Sequence, residues 1–248
     1  MRILYDNEVY AGHTLTANSE TIGYPVTNLE NHIVAKRWRA TGDTSEWVKW
    51  DAGAGNTITV TDCALIGHNF TSDCTVKIQG NATDVWTSPS VNETITFNAG
   101  VMYKQFAGGS YQYWRVSIVD ASNPDTYVQV GVIFIGEDLD LGDIIYREYS
   151  MQYDDTSIQA FTQTGQLYGD QGIIREIYNF QFPYINTEKS SIDMWFKTVR
   201  KFRSWFLLTF PADLTNHPIK YVVFTENLDW NHILGSKWNM SMSCMEVF

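Results

Sequence analysis

Five histidines, three cysteines and several closely spaced acids are the groups in this chain that could do chemistry, and their spacing decides which kinds are open to it. His13, His32, His68, His217 and His232 are scattered, with no two at the i, i+4 separation that puts two imidazoles on one helical face for zinc. His68 stands apart because Gly67-His68-Asn69-Phe70 follows the apolar run Ala64-Leu65-Ile66. A histidine and an amide at the end of a core strand can face a ligand, and the same two side chains can be tied into the turn by backbone hydrogen bonds. His68 and Asn69 are thus the candidate ligand-loop residues. Asp154-Asp155, and Asp138 with Asp140, supply carboxylates. Glycoside hydrolysis needs two acids facing each other across a sugar, whereas adjacent residues of a strand point to opposite faces. Segment 138–143 lacks the glycine and closing glutamate of an EF-hand calcium loop and reads as a solvated linker. No nucleophile elbow, phosphate-cradling glycine loop or dinucleotide fingerprint occurs. The expectation is a protein without catalytic, cofactor or metal residues.

Cys63, Cys74 and Cys244 are odd in number and no charged-then-apolar leader follows Met1, so free thiols in a protein made in a reducing cytoplasm are expected. Asn69-Phe70-Thr71 and Asn92-Glu93-Thr94 match the glycosylation acceptor pattern and, without a leader, are read as chance. No apolar run approaches the roughly 20 residues of a membrane-spanning helix. Eight basic and thirteen acidic side chains precede residue 137, and nine and fifteen lie from residue 137 onward, so the net charge of −11 is shared between the halves. No Lys/Arg stripe exists to displace counterions from phosphates, and the longest basic cluster is 197–203, which argues against nucleic-acid binding. Hydrophobic residues at 44% against charged residues at 18% place the chain among folding sequences. Nine Trp and fourteen Tyr suit sheet faces and contact surfaces.

The elements expected to carry these residues are strands. Trp47-Val48-Lys49-Trp50-Asp51, Thr57-Ile58-Thr59-Val60, the alternating run 74–79 and the alternating run 113–119 are separated by turn signals, and 128–135 is a β-branched apolar run. With no good helix among them they predict a jelly-roll sandwich over 1–136, opened by an N-terminal arm. Trp38, Trp47, Trp50 and Trp114 fall on these strands and are expected in the sandwich core rather than presented to a sugar. Acidic sequence at 137–143 marks the start of a second, β-rich domain over 137–248. That domain holds the chain's one convincing helix, about 187–202, with Thr187 as N-cap and Ile192, Trp195, Phe196, Val199 and Phe202 on its apolar face. Lys197, Arg200 and Lys201 on the other face form the candidate assembly surface, expected to meet acidic groups of a neighbouring subunit.

The ordered series Trp38-Arg39, Trp47-Val48-Lys49-Trp50-Asp51-Ala52-Gly53, Ile66-Gly67-His68-Asn69-Phe70, Thr75-Val76-Lys77-Ile78-Gln79 and Tyr113-Trp114-Arg115-Val116 resembles the discoidin or galactose-binding-like family as it occurs in tailed-phage proteins, over roughly residues 25 to 136. The hairpin, single helix and closing strands of the second half look like the tail-tube-like fold of phage tube and distal tail proteins. Distal tail proteins place the ring domain first, and this chain has the reverse order. The resemblance implies a virion component at the tail tip or baseplate, made in the host cytoplasm. It would form a homo-oligomeric ring, a hexamer by analogy, with other tail proteins as partners. The alternative is a carbohydrate-binding module that attaches a particle to a host glycan.

Overall fold

The computed structural model describes residues 1–142 and 148–247. Asp143, the last residue of the expected linker, lies outside them. Strands take up 48% of the chain and helices 8%, so the fold is mainly β, with one α-helix among the described residues.

β1 (Arg2–Leu4) opens the chain. The jelly roll follows as β2 (Thr14–Ala17), β3 (Trp38–Arg39), β4 (Glu46–Asp51), β5 (Ile58–Ile66), β6 (Thr75–Asn81), β7 (Val91–Ile95), β8 (Val101–Tyr111), β9 (Tyr113–Val119), β10 (Gln129–Val130) and β11 (Val132–Gly136). One sheet has the order β2-β4-β9-β6-β7, the facing one the order β11-β5-β8, and β3 pairs with β10. Alternation sends Val48, Trp50, Val76, Ile78, Trp114, Val116 and Ile118 inward against Val60, Cys63, Leu65, Met102, Ile133 and Ile135. The indole N–H groups of Trp38 and Trp114 donate to the Ser19 and Ile58 carbonyls at 3.0 and 2.9 Å, which makes full burial affordable. Gly80 is required where it stands, because a Cβ there would lie 2.7 Å from the Trp114 ring.

The second half consists of β12 (Leu139–Asp140), β13 (Glu148–Asp155), β14 (Ile158–Phe161), β15 (Leu167–Asp170), β16 (Ile174–Ile185), α1 (Lys189–Val199), β17 (Trp205–Leu208), β18 (Lys220–Phe224), β19 (Asp229–Leu234) and β20 (Lys237–Glu246). Its eight-stranded sheet has the order β12-β1-β17-β18-β20-β16-β13, with β19 on β20. Residues 2–4, expected to open the first domain, therefore belong to this sheet. β1 lies between β12 and β17, with Ile3 opposite Leu207, and Ile3 and Leu4 are buried on its two faces.

Three apolar layers result. α1 covers one face of the large sheet, where Ile192, Trp195 and Val199 meet Trp205, Leu207, Val222, Phe224 and Phe180. The opposite face of β1, β17 and β18 packs Leu4, Phe206, Leu208 and Tyr221 onto Ala64, Ile66, Val132 and Phe134, the outer face of the jelly roll's β5 and β11. β11 and the C-terminal half of β5 are thus covered on both sides, and so is β17, between α1 and the jelly roll. That is why β11 and β17 read as unbroken apolar runs instead of alternating ones.

The helix is shorter than its periodicity suggests. It starts at Lys189 with Glu188, not Thr187, at the N-cap, because the Thr187 hydroxyl donates to the Glu188 carboxylate at 2.8 Å instead of accepting a backbone N–H. It stops at Val199, where Arg200 takes φ +52°. Phe202 consequently leaves the apolar face, stands 69% exposed and meets His32 edge-on at 4.7 Å.

Candidate interaction surfaces

The Gly67-His68-Asn69 step is built into the loop end of the jelly roll. Gly67 takes φ +74° beneath Val34, a position closed to a side chain. His68 Nε2–H donates to the Asn98 carbonyl at 3.0 Å, its Nδ1 accepts the Phe70 N–H at 3.2 Å, and the ring stacks on Phe70. Burial lowers the His68 pKa, and the bond to Asn98 opposes this only in part. Asn69 Nδ2 donates to the Tyr127 carbonyl and to Asp125, while its Oδ1 accepts the Gln129 N–H. Both candidate ligand-loop residues spend their hydrogen bonds inside the protein. The nearby Arg39 guanidinium lies between the rings of Tyr24 and Tyr127, 4.1 and 4.2 Å from their centroids, and donates to Gln129.

A second surface was not expected. Trp47, anticipated in the core, faces out, because Val48 and Trp50 occupy the inward positions of β4. Register sets Lys49, Arg115, Gln79 and Asn92 in a row across β4, β9, β6 and β7 on the outer face. Arg115 Nε donates to Gln79 Oε1 at 2.6 Å, and Gln79 Nε2 donates to Asn92 Oδ1 at 2.9 Å. The guanidinium lies 4.4 Å from the Trp86 ring centroid, and Asp84 joins the row by accepting from Trp86 Nε1 at 2.7 Å and from Lys49 Nζ at 2.5 Å. Burial lowers the Arg115 pKa, with Asp84 compensating part of the loss. The parity signal was present in the sequence: Trp47 and Trp50 are an odd number of residues apart, so one strand cannot bury both on one face.

The candidate assembly residues Lys197, Arg200 and Lys201 do come together. All three are exposed, with Phe196 and Asn227 they line one shallow depression, and among the described residues none of them has an ion pair. Arg203, Phe202 and Met194 adjoin them and are exposed as well.

A group of exposed apolar side chains on one hairpin is a feature the sequence did not announce. β13 pairs with β16 from Glu148↔Gln181 to Asp155↔Ile174, and β14 pairs with β15 beyond. β20 accompanies β16 only from Ile177 onward, and the Glu176 carboxylate still pairs with Lys220 at 2.7 Å; beyond it, among the described residues, no further strand lies beside the ribbon. At about 3.3 Å per residue it projects on the order of 30 Å. Of seventeen exposed large hydrophobic side chains among the described residues, nine lie here: Tyr149, Met151, Tyr153, Ile158, Phe161, Leu167, Tyr168, Ile173 and Ile174. Tyr149 and Met151 sit opposite the core residues Phe180 and Tyr178, so they continue the core face of the sheet into solvent.

No family model matches the chain, and no curated protein does. Several solved structures are similar over about half of it. Chitosan-binding module 2 of a chitosanase/glucanase from Paenibacillus sp. IK-5, in complex with chitotriose, is 16% identical and covers 52% of this chain and 100% of its own, with a TM-score of 0.41. The family 32 carbohydrate-binding module of C. perfringens NanJ, in complex with galactose, is 11% identical over 54% and 98%, with a TM-score of 0.42. The CBM32 of AlyQ, in complex with 4,5-unsaturated mannuronic acid, is 18% identical over 54% and 97%, with a TM-score of 0.40. These matches lend nothing to the tail-protein half of the resemblance.

Proposed function

We propose that the chain is a non-catalytic structural protein that assembles with further copies of itself through the ribbon 148–185. The observation that carries this is the ribbon: an isolated two-stranded hairpin is marginal in water, and this one exposes large apolar side chains on both faces, Ile158 and Tyr168 on one and Phe161 and Leu167 on the other, with no partner in the monomer to cover them. Burial pushes the Cys63 and Cys244 thiols far up, away from reactive thiolate. In its finer form, which rests on the sequence resemblance, the assembly is a ring at the tail tip of a tailed-phage virion. The test is the mass of the full chain in solution by light scattering, with negative-stain images, beside a variant whose 157–172 is replaced by an Asn-Gly turn. Rings from the full chain and monomers from the variant are expected. A full chain that stays monomeric at high concentration would sink the proposal.

The outer face of the jelly roll favours a second reading, attachment to a glycan. Trp47 and Trp86 offer rings for stacking, and Arg115 with Gln79 and Asn92 offers polar groups beside them. Glycan-array binding that is lost in Trp86→Ala would support it.

A further inference from the structure

We infer that the ribbon of one copy docks on the basic end of α1 in the next, a head-to-tail interface that rests on the self-assembly proposed above and names the surface it uses. Two observations choose this partner surface. The exposed acids of the ribbon, Asp155 and Asp170, flank its apolar tip, with Asp170 directly opposite Ile158. The exposed cations Lys197, Arg200, Lys201 and Arg203 flank the exposed apolar side chains Met194 and Phe202. Both surfaces are apolar with a charged border, and the borders are of opposite sign.

The competing arrangement, two ribbons pairing antiparallel edge to edge along β13, sets Asp154 and Asp155 of one copy beside those of the other when the register centres on the outer end of β13, where the ribbon projects. Like charges brought together across an interface oppose association, and a chain of net charge −11 has few cations to relieve them. Among the described residues Lys197, Arg200 and Lys201 are exposed cations without an ion pair that line one depression at the end of α1, whereas Arg175 of the ribbon lies opposite Asp154. The acids therefore steer and register the ribbon, and its apolar residues, which bury Phe202 and Met194, supply most of the affinity. An interface between two different surfaces propagates, so it closes into a ring when the rotation permits.

Two variants of the full chain test this. One replaces 157–172 by an Asn-Gly turn and keeps the basic acceptor. The other carries Lys197→Glu, Arg200→Glu and Lys201→Glu and keeps the ribbon. Unchanged thermal melts establish that both fold. Each alone is expected to remain monomeric, or to need a concentration about tenfold higher to assemble, equivalent to about 1.4 kcal/mol. Mixed, they should form a complex of two copies and stop there, since each contributes one intact half. Adding Asp155→Lys and Asp170→Lys to the reversal variant should restore rings. If wild-type rings form and the mixture still does not pair, or if the reversal variant assembles as wild type does, the docking surface is wrong while self-assembly stands. A monomeric wild type overturns both.

Discussion

Trp195 is enclosed completely, with Trp205 and Phe224 each 4.7 Å away between ring centroids. Trp195→Ala should cost about 3 to 5 kcal/mol by urea denaturation, through lost contacts and the cavity left behind. Its indole N–H has no hydrogen-bond partner among the described residues. A buried donor without a partner costs about 1 to 3 kcal/mol, so Trp195→Phe should lose far less than the alanine variant. His68 gives a pH prediction. The native ring is held neutral, because protonation would turn Nδ1 toward the Phe70 N–H as a second donor. An unfolded histidine takes up its proton near pH 6.5, so His68 contributes stability above that value that is lost as the pH falls below it. Wild type should therefore lose more stability between pH 7.5 and 5.5 than His68→Gln does, and equal losses in the two proteins would remove the assignment. At this scale Trp38, Trp50 and Trp114 were legible from composition and alternation. Trp47 is misplaced by hydrophobicity alone and placed by strand parity, since it stands three residues before Trp50.

At the scale of elements, strand positions follow from alternation wherever one face meets water, as in β4, β6 and β9. β11 and β17 were legible as buried runs, but what covers each side depends on contacts from distant parts of the chain. The ribbon was the hardest element to foresee. Its strands were expected near their observed positions, yet nothing local says that a hairpin will lack neighbours. β1 was misplaced for a related reason: three residues carry too little pattern to name their sheet. Deleting residues 1–6 should uncover β17 and β12 and lower the urea midpoint, with loss of the near-ultraviolet signal of Trp205, while deletion of 157–172 should leave the midpoint unchanged.

For the whole molecule, the layer formed by Ala64, Ile66, Val132 and Phe134 against Leu4, Phe206, Leu208 and Tyr221 decides whether the halves behave as one. Removing either half leaves the other with an apolar sheet face in water. Thermal unfolding should therefore be a single transition in which circular dichroism and tryptophan fluorescence coincide, and residues 1–136 alone should bind a hydrophobic dye that the full chain does not. Two separated transitions would show that the shared layer contributes little.

The pairing of Ile3 with Leu207 also orders events in time. As the chain leaves the ribosome its first strand must wait through about 200 residues, at about 5 to 20 residues per second, for the partner that shelters it. The jelly roll can close in that interval, with its outward apolar face still bare. Refolding from denaturant should then show a fast phase that buries Trp38, Trp50 and Trp114 and a slower one that buries Trp195 and Trp205, the slow step being closure of the longest loop in the chain.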